Sequence, residues 1–326
     1  MVVRSERRGA MRLVFCGTPQ FAVPTLQTLH AAGHEIALVV SQPDRPVGRK
    51  QIVEPTPVKQ AALAVGLSVT QPDKIKNNSE FRARLEEIAP QAIVVVAYGR
   101  IIPPWMLALP HHGCINLHGS LLPKYRGAAP IQWAVAMGET VTGNTTMLLE
   151  EGLDTGPMLL QQEVAVGPDQ TTVELFEILA ERGAPLVVET LAGLANGSIQ
   201  PKPQDHARAT LAPILTREDG HMNFAAHTAV ELRNRWRGFQ PWPGAFAMLD
   251  GKKLIVHGME LAAGDQASRS ATADSGQLVV DQSRALVCCA RNTWLALTEV
   301  QLEGKKRMSA AEFLRGTHLP VDLRLG

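Results

Sequence analysis

The chain has 326 residues, enough for about two domains of ordinary size, and its 45% hydrophobic and 19% charged residues are the balance of a globular protein. A formal net charge of +1 gives no global field for a polyanion, so any nucleic-acid site has to be a local patch. The four cysteines lack Cys-x-x-Cys spacing, which argues for a reducing compartment, and no apolar run reaches the ~20 residues of a membrane-spanning helix.

Residues 1–10 are polar and arginine-rich without an apolar centre. They read as a disordered extension before Met11 and not as a secretory signal. From Arg12 the pattern alternates. Leu13–Cys16 reads as a strand, Pro24–Ala32 as a helix stopped by Gly33, and Ile36–Val40 as a second strand. A helix over Val58–Val65, a short strand near Leu67–Val69 and a charged helix over Glu80–Ile88 follow. Ile93–Val96 is a short, continuous apolar run of the kind buried in parallel sheets. Strand–helix alternation of this kind predicts a doubly wound α/β domain.

The first strand turn, Gly17-Thr-Pro-Gln-Phe21, carries one glycine where a dinucleotide fingerprint needs three. A nicotinamide cofactor is therefore not expected. Between the second strand and the next helix lies Gln42–Thr56, whose three prolines and one glycine predict a loop outside helix and sheet. Arg45, Arg49 and Lys50 make it locally basic. By composition it reads as a solvated connection.

The most informative stretch is Cys114–Pro130. Ile115 and Leu117 alternate with Asn116 and His118, which puts the amide and the imidazole on one face of a strand. Gly119 ends the strand, Ser120–Gly127 form a loop, and Ala128–Gly138 read as a helix. Both polar groups then lie near the C-terminal end of a strand, where open α/β sheets bind ligands. An amide and an imidazole there can hold a carbonyl oxygen and stabilise the oxyanion formed when its carbon is attacked. By residue type alone, His118 also reads as a core histidine bonded to a backbone carbonyl. Further on, Thr142–Leu149 and Met158–Val164 read as strands around the turn Glu150–Pro157. Asp154 in that turn is, on its own, as much a turn former as a catalytic acid.

Asn116-Leu-His118-Gly-Ser-Leu-Leu-Pro123, Arg126-Gly127 and Gly152-Leu-Asp154-Thr-Gly156 together resemble the folate-dependent formyltransferases. Phe15–Pro19, Gln42–Pro46, Ala97–Gly99 and Pro241–Pro243 extend the resemblance over nearly the whole chain, toward the branch whose acceptor is methionyl-initiator tRNA. The resemblance implies a Rossmann-like catalytic domain over residues 11–197, a linker over 198–213 and a small OB-like β-barrel over 214–326 that binds tRNA. It implies Asn116, His118 and Asp154 as the catalytic trio. The folate wall would be Ser120, Leu121, Leu122 and Pro123. The formyl donor would be 10-formyltetrahydrofolate, the partner methionyl-initiator tRNA, and no metal is called for. It also turns the basic loop, with Arg45, Arg49 and Lys50, into a segment that meets the tRNA acceptor end. A small-amine acceptor or a non-catalytic folate- or RNA-binding module remains open at this point. A cytoplasmic monomer is the expectation.

Beyond the trio, Thr171–Ala195 read as helical with a break or kink at Gly183 and Pro185. After residue 213 a short helix near Ala229–Trp236 precedes several short strands, the pattern of a small barrel. Lys252, Lys253, Lys305, Lys306 and Arg307 are candidate phosphate contacts there, or simply solvated turns. Trp236, Phe239, Trp242 and Trp294 either stack on bases or pack the interior.

Overall fold

The computed structural model describes residues 10–47, 52–262, 273–281, 283–316 and 323–326. Of the segment 1–10, read as a disordered extension, residues 1–9 lie outside them, as do Arg49 and Lys50. The chain divides into two compact units. One comprises the chain to Pro130, Val141–Ala165 and Glu174–Pro213; the other comprises Ile131–Thr140, Val166–Val173 and Ile214 onward.

The first unit starts with β1 (Arg12–Gly17), α1 (Val23–Ala31) and β2 (Glu35–Val40). Next come β3 (Arg45–Val47), β4 (Ile52–Glu54), α2 (Pro57–Ala64), β5 (Val69–Thr70), α3 (Ser79–Ile88), β6 (Ala92–Val96), α4 (Pro104–Leu107) and β7 (Cys114–His118). Helix α5 (Pro130–Ala136), nearly all of which belongs to the second unit, precedes β8 (Val141–Leu148), β9 (Met158–Ala165) and α6 (Thr172–Asn196) in the chain. The strand order is β5-β2-β1-β6-β7-β8-β9. The five strands from β5 to β7 are parallel, and β8 and β9 add an antiparallel edge. The chain steps outward from β1 to β5, then returns to β6 beside β1, so the direction of winding reverses between β1 and β6. All five residues of β6 are buried, as its unbroken apolar run requires. Each such valine contributes about 1.5–3 kcal/mol of burial.

Three local expectations change. The proline-bearing loop after β2 holds a two-stranded hairpin, with Arg45 opposite Glu54 and Pro46 opposite Val53. A pair of strands consists of two edges, so Pro46 can keep its missing donor turned away from the ladder. Helix α6 runs without interruption through Pro185. The proline removes the bond that Glu181 would accept, but Glu181 is exposed and water can replace it. Buried Leu175, Leu179, Val187 and Leu191 keep both halves docked. Residues 198–213, read as a linker, are part of the first unit, where Lys202 pairs with Met158 and Thr210–Ala212 run alongside Arg126–Ala129.

The second unit carries α7 (Ala229–Gly238), β10 (Phe246–Leu249), β11 (Lys252–Leu261), β12 (Leu278–Asp281), β13 (Arg284–Cys289), β14 (Thr293–Leu302), β15 (Met308–Ser309) and α8 (Ala310–Gly316). Thr228 and Glu231 cap α7 reciprocally, which satisfies its first free N–H groups. The strands form an antiparallel sheet in the order β10-β11-β14-β13-β12, with β15 added to β14. Its core joins Leu254, Val256, Val287, Leu295 and Leu297 to Leu232 of α7 and Phe313 of α8. Phe239 and Trp294 are buried and Trp236 packs on the core, whereas Trp242 is half exposed and does not fill the interior.

Candidate functional site

Strand β7 delivers two polar side chains to one face at its C-terminal end. Leu117 faces the other way: a Cβ built on Gly183 of α6 would press on its methyl groups. Asn116 and His118 therefore share the opposite face, Asn116 half-buried and His118 buried.

His118 is held at both ring nitrogens. Its Nε2 lies 2.9 Å from the carbonyl oxygen of Tyr125. A carbonyl only accepts, so Nε2 carries a proton. Nδ1 faces Oδ2 of Asp154 at 3.7 Å, an ion-pair distance longer than a hydrogen bond. The core-histidine reading is thus half right, since a backbone carbonyl does bind the ring, but a carboxylate faces its other side.

Asp154 sits in the left-handed region, φ 50°, with its carboxylate accepting from the N–H of Gly127 at 2.8 Å. Gly127 needs to be glycine twice over. Its φ is 124°, and a Cβ would collide with the carbonyl of Ala212. Gly156 closes the aspartate turn so tightly that any side chain would strike the carbonyl of Leu148. Gly127 and Gly156 are thus positions where the backbone of Ala212 and of Leu148 approaches closely.

The Ser120–Pro123 loop is anchored from β8 and β9. Thr145, fully buried, donates to the carbonyl of Ser120 (2.7 Å) and accepts from the N–H of Leu122 (3.1 Å). Gln161 donates to Thr145 (3.0 Å) and to the carbonyl of Leu122 (2.9 Å). Ser120 donates to the carbonyl of Lys124 at 2.7 Å, so its hydroxyl serves the loop and is no free nucleophile. The thiol of Cys114, at the start of β7, is pushed up to about 12 by burial and stays protonated near neutral pH.

Sequence reasoning missed Thr145, Gln161 and the pair Arg126–Gln204. The polarity of Asn144–Thr146 in a strand was the available signal for the first. Gln204 gave none, because a glutamine that follows two prolines in a polar stretch has the composition of a connector.

The basic candidates separate. Arg45 is exposed in β3, donating to Gln42. In the second unit the turns before β11 and after β14 meet, since the N–H of Glu303 donates to the carbonyl of Lys253. Lys252, Lys305 and Lys306, on these two turns, are all exposed. Lys253 instead lies over the ring of Phe246, 3.7 Å from its centroid, and Arg307 pairs with Glu299. Among the described residues no cluster of three His, Cys, Asp or Glu is placed to hold a metal, and no helix is long and apolar enough to cross a membrane.

Residues 11–191 match the family described as Formyl transferase, and residues 214–318 its C-terminal domain, leaving 192–213 between them. The chain belongs to the formyl transferase family. A methionyl-tRNA formyltransferase of Acidobacterium capsulatum is 64% identical over 97% of this chain and all of that protein. One of Koribacter versatilis is 57% identical over 94% of this chain and 96% of that protein. Among solved structures, an N-formyltransferase from Helicobacter canadensis in complex with folinic acid and dTDP-3-aminofucose is similar in fold. The TM-score is 0.63 at 16% identity, over 88% of this chain and 98% of that one.

Proposed function

We propose that the chain transfers the formyl group of 10-formyltetrahydrofolate to the α-amino group of methionyl-initiator tRNA. The observation that carries this reading is His118, bonded through Nε2 to Tyr125 and facing Asp154 through Nδ1, one strand repeat from Asn116 in a formyl transferase chain. The shared name of the curated relatives, matched across both domains, favours tRNA over a small amine acceptor.

In this reading the neutral amine attacks the formyl carbon, and negative charge develops on the formyl oxygen. The amide of Asn116 and a protonated His118 stabilise it. Asp154 orients the ring, and takes up through water the proton that the amine loses. The bond from the formyl carbon to the folate nitrogen then breaks, and that nitrogen gains a proton. Ser120, Leu121, Leu122 and Pro123 form one wall of the folate site, held in shape by Thr145 and Gln161.

Residues 11–197 carry the chemistry, 198–213 connect, and 214–326 engage tRNA through Lys252, Lys305 and Lys306. Arg45, Arg49 and Lys50 meet the acceptor end. The protein works in the cytoplasm as a monomer. The deciding assay incubates the protein with the folate donor and charged initiator tRNA. Formyl-methionine released from the tRNA supports the reading. Formylation of a nucleotide-linked amine with none on the tRNA overturns it.

A further inference from the structure

We infer that Gln204 is a positioning residue for the reaction: its amide sets the direction of the Asp154 turn and thereby the aim of the carboxylate at His118. The inference rests on the reading of Asp154 given above.

Gln204 is 5% exposed, and every hydrogen-bonding valence of its amide is in use. The nitrogen donates to the carbonyls of Asp154 (2.8 Å) and Gly156 (2.7 Å). The oxygen accepts from Nε (3.0 Å) and Nη2 (2.6 Å) of Arg126. Carbonyls on one side and a guanidinium on the other permit one amide orientation only. Arg126 is itself buried, and its Nη2 also lies 3.2 Å from Nδ1 of His206. A glutamate at 204 would be the stronger partner for a buried guanidinium. It could not donate to two carbonyls, so the amide is what the Asp154 turn, not Arg126, requires.

That turn needs holding. Asp154 occupies left-handed backbone, which costs a non-glycine residue energy unless its surroundings over-determine it. Gln204 grips the peptide carbonyls at 154 and 156, while the carboxylate reaches the N–H of Gly127, the neighbour of Arg126. Both ends of the Asp154–Gly127 bond are thus tied to one buried amide. The folate-wall loop has separate anchors in Thr145 and Gln161, so loss of the Gln204 clamp should touch the acid–base pair and spare donor binding.

The test is steady-state kinetics of the full chain with 10-formyltetrahydrofolate and methionyl-initiator tRNA, for Gln204→Glu and Gln204→Met, each alone and combined with Asp154→Asn. A buried donor lost from two carbonyls predicts a fall in kcat of about tenfold or more, with KM for the donor within about twofold. In the Asp154→Asn background the same substitutions should cost nothing further, because a residue that acts through Asp154 has nothing left to position. A loss that multiplies with Asp154→Asn, or an unchanged kcat, overturns the inference. If Asp154→Asn alone turns over normally, the reading of Asp154 fails first, and the inference with it. Should Gln204→Met not fold, Gln204→Glu, which keeps the volume and the Arg126 contact, carries the same cycle.

Discussion

The end of β7 and the basic turns of the antiparallel sheet handle polar side chains in opposite ways. At β7 the polar groups are buried or half-buried, and most have a fixed partner. His118 has an acceptor at both ring nitrogens, the Asp154 carboxylate takes a backbone N–H, and the neighbouring loop hangs from Thr145. At the basic turns the proposed phosphate contacts are the exposed groups that have no side-chain partner among the described residues. Lys253 and Arg307 are engaged by Phe246 and Glu299, while Lys252, Lys305 and Lys306 stay exposed. A buried polar group left unsatisfied costs its full desolvation, whereas an exposed ammonium gains little from a protein partner. Geometry is therefore stored where water is excluded, and charge is left where a phosphate can displace counterions.

The largest effect should come from breaking the buried side. Asp154→Asn or His118→Ala should lower turnover by ~100-fold or more, the loss typical of a removed acid–base group or oxyanion donor. Donor affinity should change far less, and turnover measured at saturating donor separates the two. Near-normal turnover in either variant would contradict the roles given to the pair.

Thr145→Val probes the same side without touching the trio. It keeps the shape but strips the buried hydroxyl that serves Ser120, Leu122 and Gln161. Urea unfolding should show a loss of about 1–3 kcal/mol, and KM for the folate donor should rise as the loop loosens. Unchanged stability together with unchanged KM would mean that the loop is held by other contacts.

On the exposed side, replacing Lys252, Lys305 and Lys306 together by alanine should weaken tRNA affinity by about tenfold at low salt. It should also flatten the salt dependence, since each phosphate contact contributes about one unit to the slope. Lys253→Ala with Arg307→Ala should do less, because both side chains already have partners. Equal effects from the two sets would show that those intramolecular contacts do not decide availability.

The smallest effect concerns Arg49 and Lys50, beyond the described residues. A guanidinium forks onto a phosphate and an ammonium offers a point charge, so Arg49→Ala should raise KM for tRNA a few-fold more than Lys50→Ala. The difference should shrink as salt rises. Kinetics of Arg49→Ala indistinguishable from the parent would return this segment to a solvated connection.

The sequence by itself determined the elements whose cause is local. The apolar run of β6 and the alternation around Asn116 and His118 state their own burial, because side-chain period follows from backbone geometry. The motif residues of the family are likewise contiguous and readable. Tertiary structure alone decided what depends on partners distant in the chain. Pro46 could join a hairpin because the strand opposite leaves it an edge, and Pro185 could stay in α6 because the buried face held the helix across it. Lys253 and Arg307 carry the same charge in sequence as Lys252 and Lys305, and only the pairing of β11 with β14, the ring of Phe246 and the carboxylate of Glu299 distinguish them. Gln204, fifty residues beyond Asp154, shows the limit most plainly. An amide has no pattern of its own, and its meaning comes from the two carbonyls and the guanidinium that folding places around it.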